Sequence, residues 1–133
     1  MKRLEWKPSY SVNNDAVDKD HKGFFKLAQE LGESQPSREL FGDVLERLEQ
    51  YATDHFAREE ALMTIIKYPG LDAHIKSHKT FIDWLAVATR RYHSSAEEET
   101  DMGRQITEFV ENWLVEHILK EDMRYRDYVL KNF

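Results

Sequence analysis

The recurrence of apolar residues at intervals of three and four over long stretches limits this chain's fold more than any other feature. Four such stretches can be traced. The first covers about 17–31, with Val17, Phe24, Phe25, Ala28 and Leu31 on one side, Asp15 or Asp18 as its cap and Gly32 as its stop. The second covers about 37–67 through Phe41, Val44, Leu45, Leu48, Ala52, Phe56, Leu62, Met63 and Ile66, and Tyr68-Pro69-Gly70 closes it. The third covers about 71–92, with Ile75, Phe81, Ile82, Leu85 and Ala88 inward. The fourth covers about 96–130, with Ile106, Phe109, Val110, Trp113, Leu114 and Ile118 inward; Ser95-Ala96-Glu97-Glu98 fits a capping box at its entrance. The chain has only 5 glycines and 3 prolines, read as punctuation between helices, which argues against an all-β chain. Short connections between long helices favour antiparallel neighbours. The expected fold is therefore all-α: an up-down-up-down four-helix bundle with an N-terminal arm over about 1–16, the 133 residues forming a single domain.

Composition narrows the function. There is no cysteine, which removes disulfide scaffolds, thiolate catalysis and cysteine-ligated clusters. A net charge of −6 argues against a nucleic-acid partner. No apolar run approaches the roughly 20 residues of a membrane span, and no apolar segment follows the charged start Met1-Lys2-Arg3. A cytoplasmic monomer without a membrane partner is expected.

The histidines carry the chemistry. Residues three and four apart share a helix face. By that measure His21, His55, His74, His78 and His117 fall on the apolar stripes of their segments, and all four segments contribute. His93, at the end of the third, reads as solvent-facing. Burying five imidazoles unpartnered would cost about 1–3 kcal/mol for each unsatisfied polar group, and one shared metal centre removes that cost. Glu59, four after His55, lies on the same inward stripe, whereas Glu60 points about 100° away and reads as surface charge. After His117 there are two candidates: Glu121 at the fourth residue fits the helical spacing, and Asp122 at the fifth lies off by about 140°. Spacing alone leaves that choice open. Five imidazoles and two carboxylates exceed a single zinc site and carry too much nitrogen for calcium or magnesium. Two metal ions bridged by the carboxylates use all seven, and mixed nitrogen and oxygen donors suit iron.

Four blocks together, Val17-Asp18-Lys19-Asp20-His21-Lys22, His55-Phe56-Ala57-Arg58-Glu59-Glu60 with Met63 and Tyr68-Pro69, His74 with His78, and Trp113 through His117-Ile118 to Asp122 and Tyr125, resemble the hemerythrins, above all the single-domain bacterial ones. The resemblance spans Trp6 to about Tyr128 and implies two iron ions joined by an oxo or hydroxo group. It implies His74, His78 and His117 on one iron, His21 and His55 on the other, which keeps an open position for dioxygen, and Glu59 and Asp122 as bridges, thus choosing Asp122 over Glu121. The chain departs from the family's common pattern at Asn13-Asn14, at Asp20 (commonly glutamine) and at Phe24 (commonly leucine). Phe24, Phe56, Trp113, Leu114 and Ile118 are the candidate walls of the oxygen pocket, and Tyr125 is a candidate hydroxyl anchor for a bridging carboxylate. The implied function is reversible oxygen binding without catalysis, for storage, transport or sequestration, with an oxygen-consuming enzyme as a candidate recipient. The rival readings are a redox enzyme acting on peroxide or nitrogen oxides at the same centre, and an oxygen sensor working through a separate partner.

Overall fold

The computed structural model describes residues 5–94 and 100–132. A 3-10 turn at Pro8–Tyr10 interrupts the arm and is followed by helices α1 (Asp15–Glu33), α2 (Arg38–Ile65), α3 (Leu71–Ser94) and α4 (Thr100–Glu116). The path of α4 then continues through a π-turn at His117–Glu121 and a 3-10 turn at Asp122–Tyr125 into a short α5 (Arg126–Asn132). Helix α1 packs on α2 and α4, and α3 packs on the same two, so the four long helices form a bundle. Among the described residues no helix is long and apolar enough to cross a membrane.

Several boundaries differ from the spacing-based expectation, each for a local reason. Helix α1 begins two residues early because Asn14, not Asp15 or Asp18, caps it: its side chain accepts from the Val17 amide at 3.0 Å. Asp18 turns back on the arm instead, accepting from the Val12 amide at 2.9 Å and from the Ser11 hydroxyl. Gly32 does not stop α1, and Gly23, Gly42 and Gly103 lie inside helices. Ser37, where the second segment was expected to start, caps α2, its side chain accepting from the Leu40 amide at 3.2 Å. The far end of α2 closes before Tyr68-Pro69, because Lys67 adopts a left-handed φ of 56°. The Lys67 amide then bonds to the Thr64 carbonyl and the Tyr68 amide to the Met63 carbonyl, the paired bonds of a Schellman closure. Ile75 is exposed, not inward. The Ser95-Ala96-Glu97-Glu98 capping box lies outside the described residues.

The buried apolar residues divide into two clusters. One fills most of the bundle and includes Phe24, Phe56, Phe81, Leu114 and Ile118. The smaller one gathers Val12 of the arm, Val17, Leu62, Met63, Ile66, Tyr125 and Val129. Along the chain the polar candidates fall between members of the two: His21 between Val17 and Phe24, Glu59 between Phe56 and Leu62, and Asp122 between Ile118 and Tyr125. A polar layer thus lies sealed between two apolar ones, where an unpaired charge would be costly.

Candidate metal centre

All five stripe histidines are buried, each no more than 5% exposed, and Glu59 and Asp122 are fully buried. His93, by contrast, is exposed, 3.7 Å from Glu46.

The side chains fall into two groups. Donor atoms of His74, His78, His117, Glu59 and Asp122 lie within 4.8 Å of one another, as do those of His21, His55, Glu59 and Asp122. Both groups share the two carboxylates, and each carboxylate divides its oxygens between them. Glu59 Oε1 faces His78 Nε2 at 2.8 Å, His74 Nε2 at 3.3 Å and His117 Nε2 at 3.6 Å. Its Oε2 faces His21 Nε2 at 3.4 Å and His55 Nε2 at 3.5 Å. Asp122 Oδ1 lies 2.7 Å from His74 Nε2 and 3.0 Å from His117 Nε2, and its Oδ2 lies 3.0 Å from His21 Nε2.

The π-turn determines which of the two acids after His117 faces the inner group. Its backbone closes from the Asp122 amide to the His117 carbonyl, an i→i+5 bond, so a fifth residue returns to the face that a fourth would occupy in an α-helix. Asp122 thereby joins the inner group, and Glu121 is displaced to the outer side of the His117 ring. There Glu121 accepts from His117 Nδ1 at 2.6 Å and from the Ser77 hydroxyl at 2.9 Å.

Glu121 belongs to a set that the stripe argument missed. Glu60, read as surface charge, accepts from His78 Nδ1 at 2.8 Å. Asp20 accepts from His55 Nδ1 at 2.9 Å. With Nδ1 donating outward in His55, His78 and His117, each Nε2 is left as a lone pair aimed at the centre. The signal available in the sequence was acidity beside, not on, the histidine stripe, because the two ring nitrogens point in opposite senses.

The interior atoms ask for a cation. His21 Nδ1 and Nε2, His55 Nε2, Glu59 Oε1 and Asp122 Oδ2 are buried with no hydrogen-bond partner among the described residues, despite their close approaches. Nε2 of His78 and of His117, both acceptors, stand only 2.9 Å apart. Lone pairs crowded in this way repel unless a proton or a metal ion lies among them. The donor set, five imidazole nitrogens and two carboxylates, fits a pair of iron ions.

Electrostatics agree. Burial lowers the His21 pKa, but the close carboxylates of Asp122 and Glu59 outweigh it and raise it to about 9. His74 reaches about 9 for the same reasons. Burial raises the Glu59 pKa, and contacts with His117, His21, His55 and His74 more than reverse this, leaving it well below its ordinary value. The layer retains ionised carboxylates facing groups that compete for protons or metal.

Of the apolar candidates, Phe24 meets His55 edge-on at 5.1 Å and Phe56 stacks on His78 at 3.9 Å. Trp113 stacks on His117 at 4.3 Å and is half-buried, whereas Leu114 and Ile118 are fully buried in the larger cluster. Tyr125 donates to Glu59 Oε2 at 2.8 Å; of the two shared carboxylates it anchors Glu59, not the nearer-in-sequence Asp122.

Comparison with known proteins places this geometry. Residues 12–129 match the model of the hemerythrin HHE cation binding domain. The chain is 31% identical over 131 residues to a bacteriohemerythrin of Pseudomonas aeruginosa, covering 97% of this chain and 83% of that protein. It is 31% identical over 122 residues to a myohemerythrin of Theromyzon tessulatum, covering 92% and 90%. A wild-type hemerythrin crystal structure superimposes with a TM-score of 0.82 at 26% identity, covering 96% of this chain and 98% of that one. With its four-helix frame and its paired histidine groups sharing two carboxylates, the chain belongs to the hemerythrin family.

Proposed function

We propose that the chain binds dioxygen reversibly at two iron ions, His74, His78 and His117 holding one, His21 and His55 the other, and Glu59 and Asp122 spanning the pair. The observation that carries this reading is the division of both carboxylates, one oxygen of each toward members of the three-histidine group and the other toward members of the two-histidine group. The groups are unequal by one imidazole, so the two-histidine side has one donor fewer to offer and is the side left for an exogenous ligand. When bound, two ferrous ions supply dioxygen with one electron each, which allows it to be held and released without a net loss of electrons.

The protein's own part is positioning and exclusion. Tyr125 fixes one oxygen of Glu59 and thereby the direction of the other. Phe24 presses its edge on His55, and Leu114 and Ile118 close the apolar layer over the same interior. An apolar wall withholds water and protons from the buried charges, which favours release of intact dioxygen over leakage of reduced products. Storage, transport or sequestration follows from that reversibility, and no turnover is needed. The test is an ultraviolet–visible spectrum of the reduced, iron-loaded protein before and after admitting air. Charge-transfer bands that appear with air and fade under vacuum support the reading; an irreversible change, or sustained consumption of added peroxide, refutes it.

A further inference from the structure

We infer that Asp20 is the positioning residue of the two-histidine side, its carboxylate reaching across the α1–α2 seam to aim His55 at the metal while Arg58 and Tyr51 hold Asp20 in place. The inference rests on the assignment of the buried cluster as two metal sites.

Tyr51, His55 and Arg58 are spaced by four and three residues, so they form one stripe of α2. That stripe closes on a single residue of α1. Asp20 Oδ2 accepts from His55 Nδ1 at 2.9 Å and from Arg58 Nε at 2.8 Å, and Oδ1 accepts from Arg58 Nη2 at 2.8 Å. The Tyr51 hydroxyl donates to the Asp20 backbone carbonyl at 2.8 Å. Gly23, one turn after Asp20, makes the approach possible, because a Cβ there would collide with the Tyr51 hydroxyl. Asp20 also directly precedes His21. One short segment of α1 therefore contributes one histidine of the side and the orienting group of the other.

The burial of the acid distinguishes this from a plain helix staple. An exposed aspartate–arginine pair contributes little to stability and has no need to touch an imidazole. Here the carboxylate side chain is 12% exposed while Arg58 remains half exposed. A fixed carboxylate on Nδ1 sets the tautomer, restrains the ring and strengthens Nε2 as a donor. His21 has no such aid, since its Nδ1 lacks a hydrogen-bond partner among the described residues. Among the described residues, Asp20 is thus the one group that orients a ring of the two-histidine side in this way.

The experiment uses the full chain loaded with cobalt(II), which probes both sites without iron redox chemistry. The loaded protein is titrated with a chelator while bound cobalt and its visible spectrum are followed. Wild type should carry two ions per chain. Asp20→Ala should release one of them at chelator concentrations lower by about 10–100-fold, with the second unmoved, and Asp20→Asn, which keeps an acceptor for Nδ1, should recover most of that loss. Paramagnetically shifted NMR of the wild-type cobalt protein should show a slowly exchanging ring N–H for His55, a signature available even if Asp20→Ala fails to fold. Wild type that does not hold two ions refutes the metal-site assignment and the inference with it. Two ions in wild type with no site-selective release in Asp20→Ala, or a parallel weakening of both, overturns the inference alone, as does a His55 ring N–H that exchanges freely.

Discussion

The two sides of the buried centre are held by different means. On the three-histidine side, His78 and His117 are oriented by Glu60 and Glu121, part-exposed acids within reach of the bundle surface. Phe56 and Trp113 stack flat on the same two rings. On the two-histidine side a single buried acid, Asp20, serves His55, the neighbouring Phe24 meets the ring edge-on, and His21 Nδ1 has no hydrogen-bond partner among the described residues. The first side has two such acids and two flat-stacked rings, and the second has one acid and an edge contact. A site that must hold one ion firmly and leave room at the other is served by such an imbalance. On the reading proposed above, rigid packing around the first would fix the shared carboxylates, and the sparser set around the second would leave the position for a ligand.

The substitution that should abolish the contrast altogether is Glu59→Ala. Glu59 faces all five histidines, and its loss also deprives the buried Tyr125 hydroxyl of its acceptor. Both ions should weaken by more than about 100-fold, beyond what loss of an outer orienting group causes, as measured by metal retained per chain under chelator challenge. Retention of one ion at wild-type strength would show that Glu59 serves a single side.

Proton competition comes next in size and should leave the contrast intact. His21 and His74, one from each side, have pKa values raised to about 9 by Asp122 and Glu59 against the opposing effect of burial. Below that pH the metal-free protein holds these protons, and a metal ion must displace them. Apparent affinity at each side should therefore fall about tenfold per pH unit as pH drops from 9 toward 7, read in metal-buffered solution. The metal-free protein should show the reverse trend. The raised imidazoles contribute stability that is fully present below about pH 6.5 and is lost as pH rises through 9.

These dependences also explain how much the sequence disclosed. The burial of the five histidines and of Glu59 was legible because helical spacing marks which side of a segment is buried, and a charged or polar residue on that side needs a reason to be there. The inward position of Asp122 was not legible from spacing, since it turns on a π-turn at His117–Glu121 that periodicity does not announce; only the family resemblance pointed to it. Glu60, Glu121 and Asp20 were missed in their orienting roles because an imidazole offers its second nitrogen away from the stripe. The partner must then lie where a stripe argument expects solvent. Ile75 fails in the opposite direction: it sits next to His74 in sequence, but a one-residue step turns it about 100° outward.

The apolar seal offers a more moderate test. Leu114 is fully exposed to the interior and not at all to solvent. Leu114→Asn places an amide in that layer and should speed irreversible oxidation of the oxygenated form about tenfold, a change of about 1.4 kcal/mol in the barrier. Leu114→Ala should act in the same direction less strongly while lowering stability by about 2–5 kcal/mol. Decay of the oxygenated spectrum in air measures both, and unchanged decay in the two variants would refute the water-excluding role.

The smallest expected effect separates redundant from single support most finely. Ser77 donates to Glu121 Oε2, which in turn accepts from His117 Nδ1. Ser77→Ala removes one bond from a part-exposed acid, a net contribution of about 0.5–1.5 kcal/mol at most. Glu121 lies four residues from His117, close enough to keep its contact unaided, and Trp113 still stacks on the ring. Chelator release of the three-histidine ion should thus move by less than about threefold, under 1 kcal/mol. Tyr51→Phe removes a comparable bond on the other side, where Asp20 has no second acid behind it, and its shift should be the larger of the two. Equal shifts would mean that both sides are held with the same reserve, and the proposed ligand position would then follow from the missing fifth donor and not from any difference in how the rings are held.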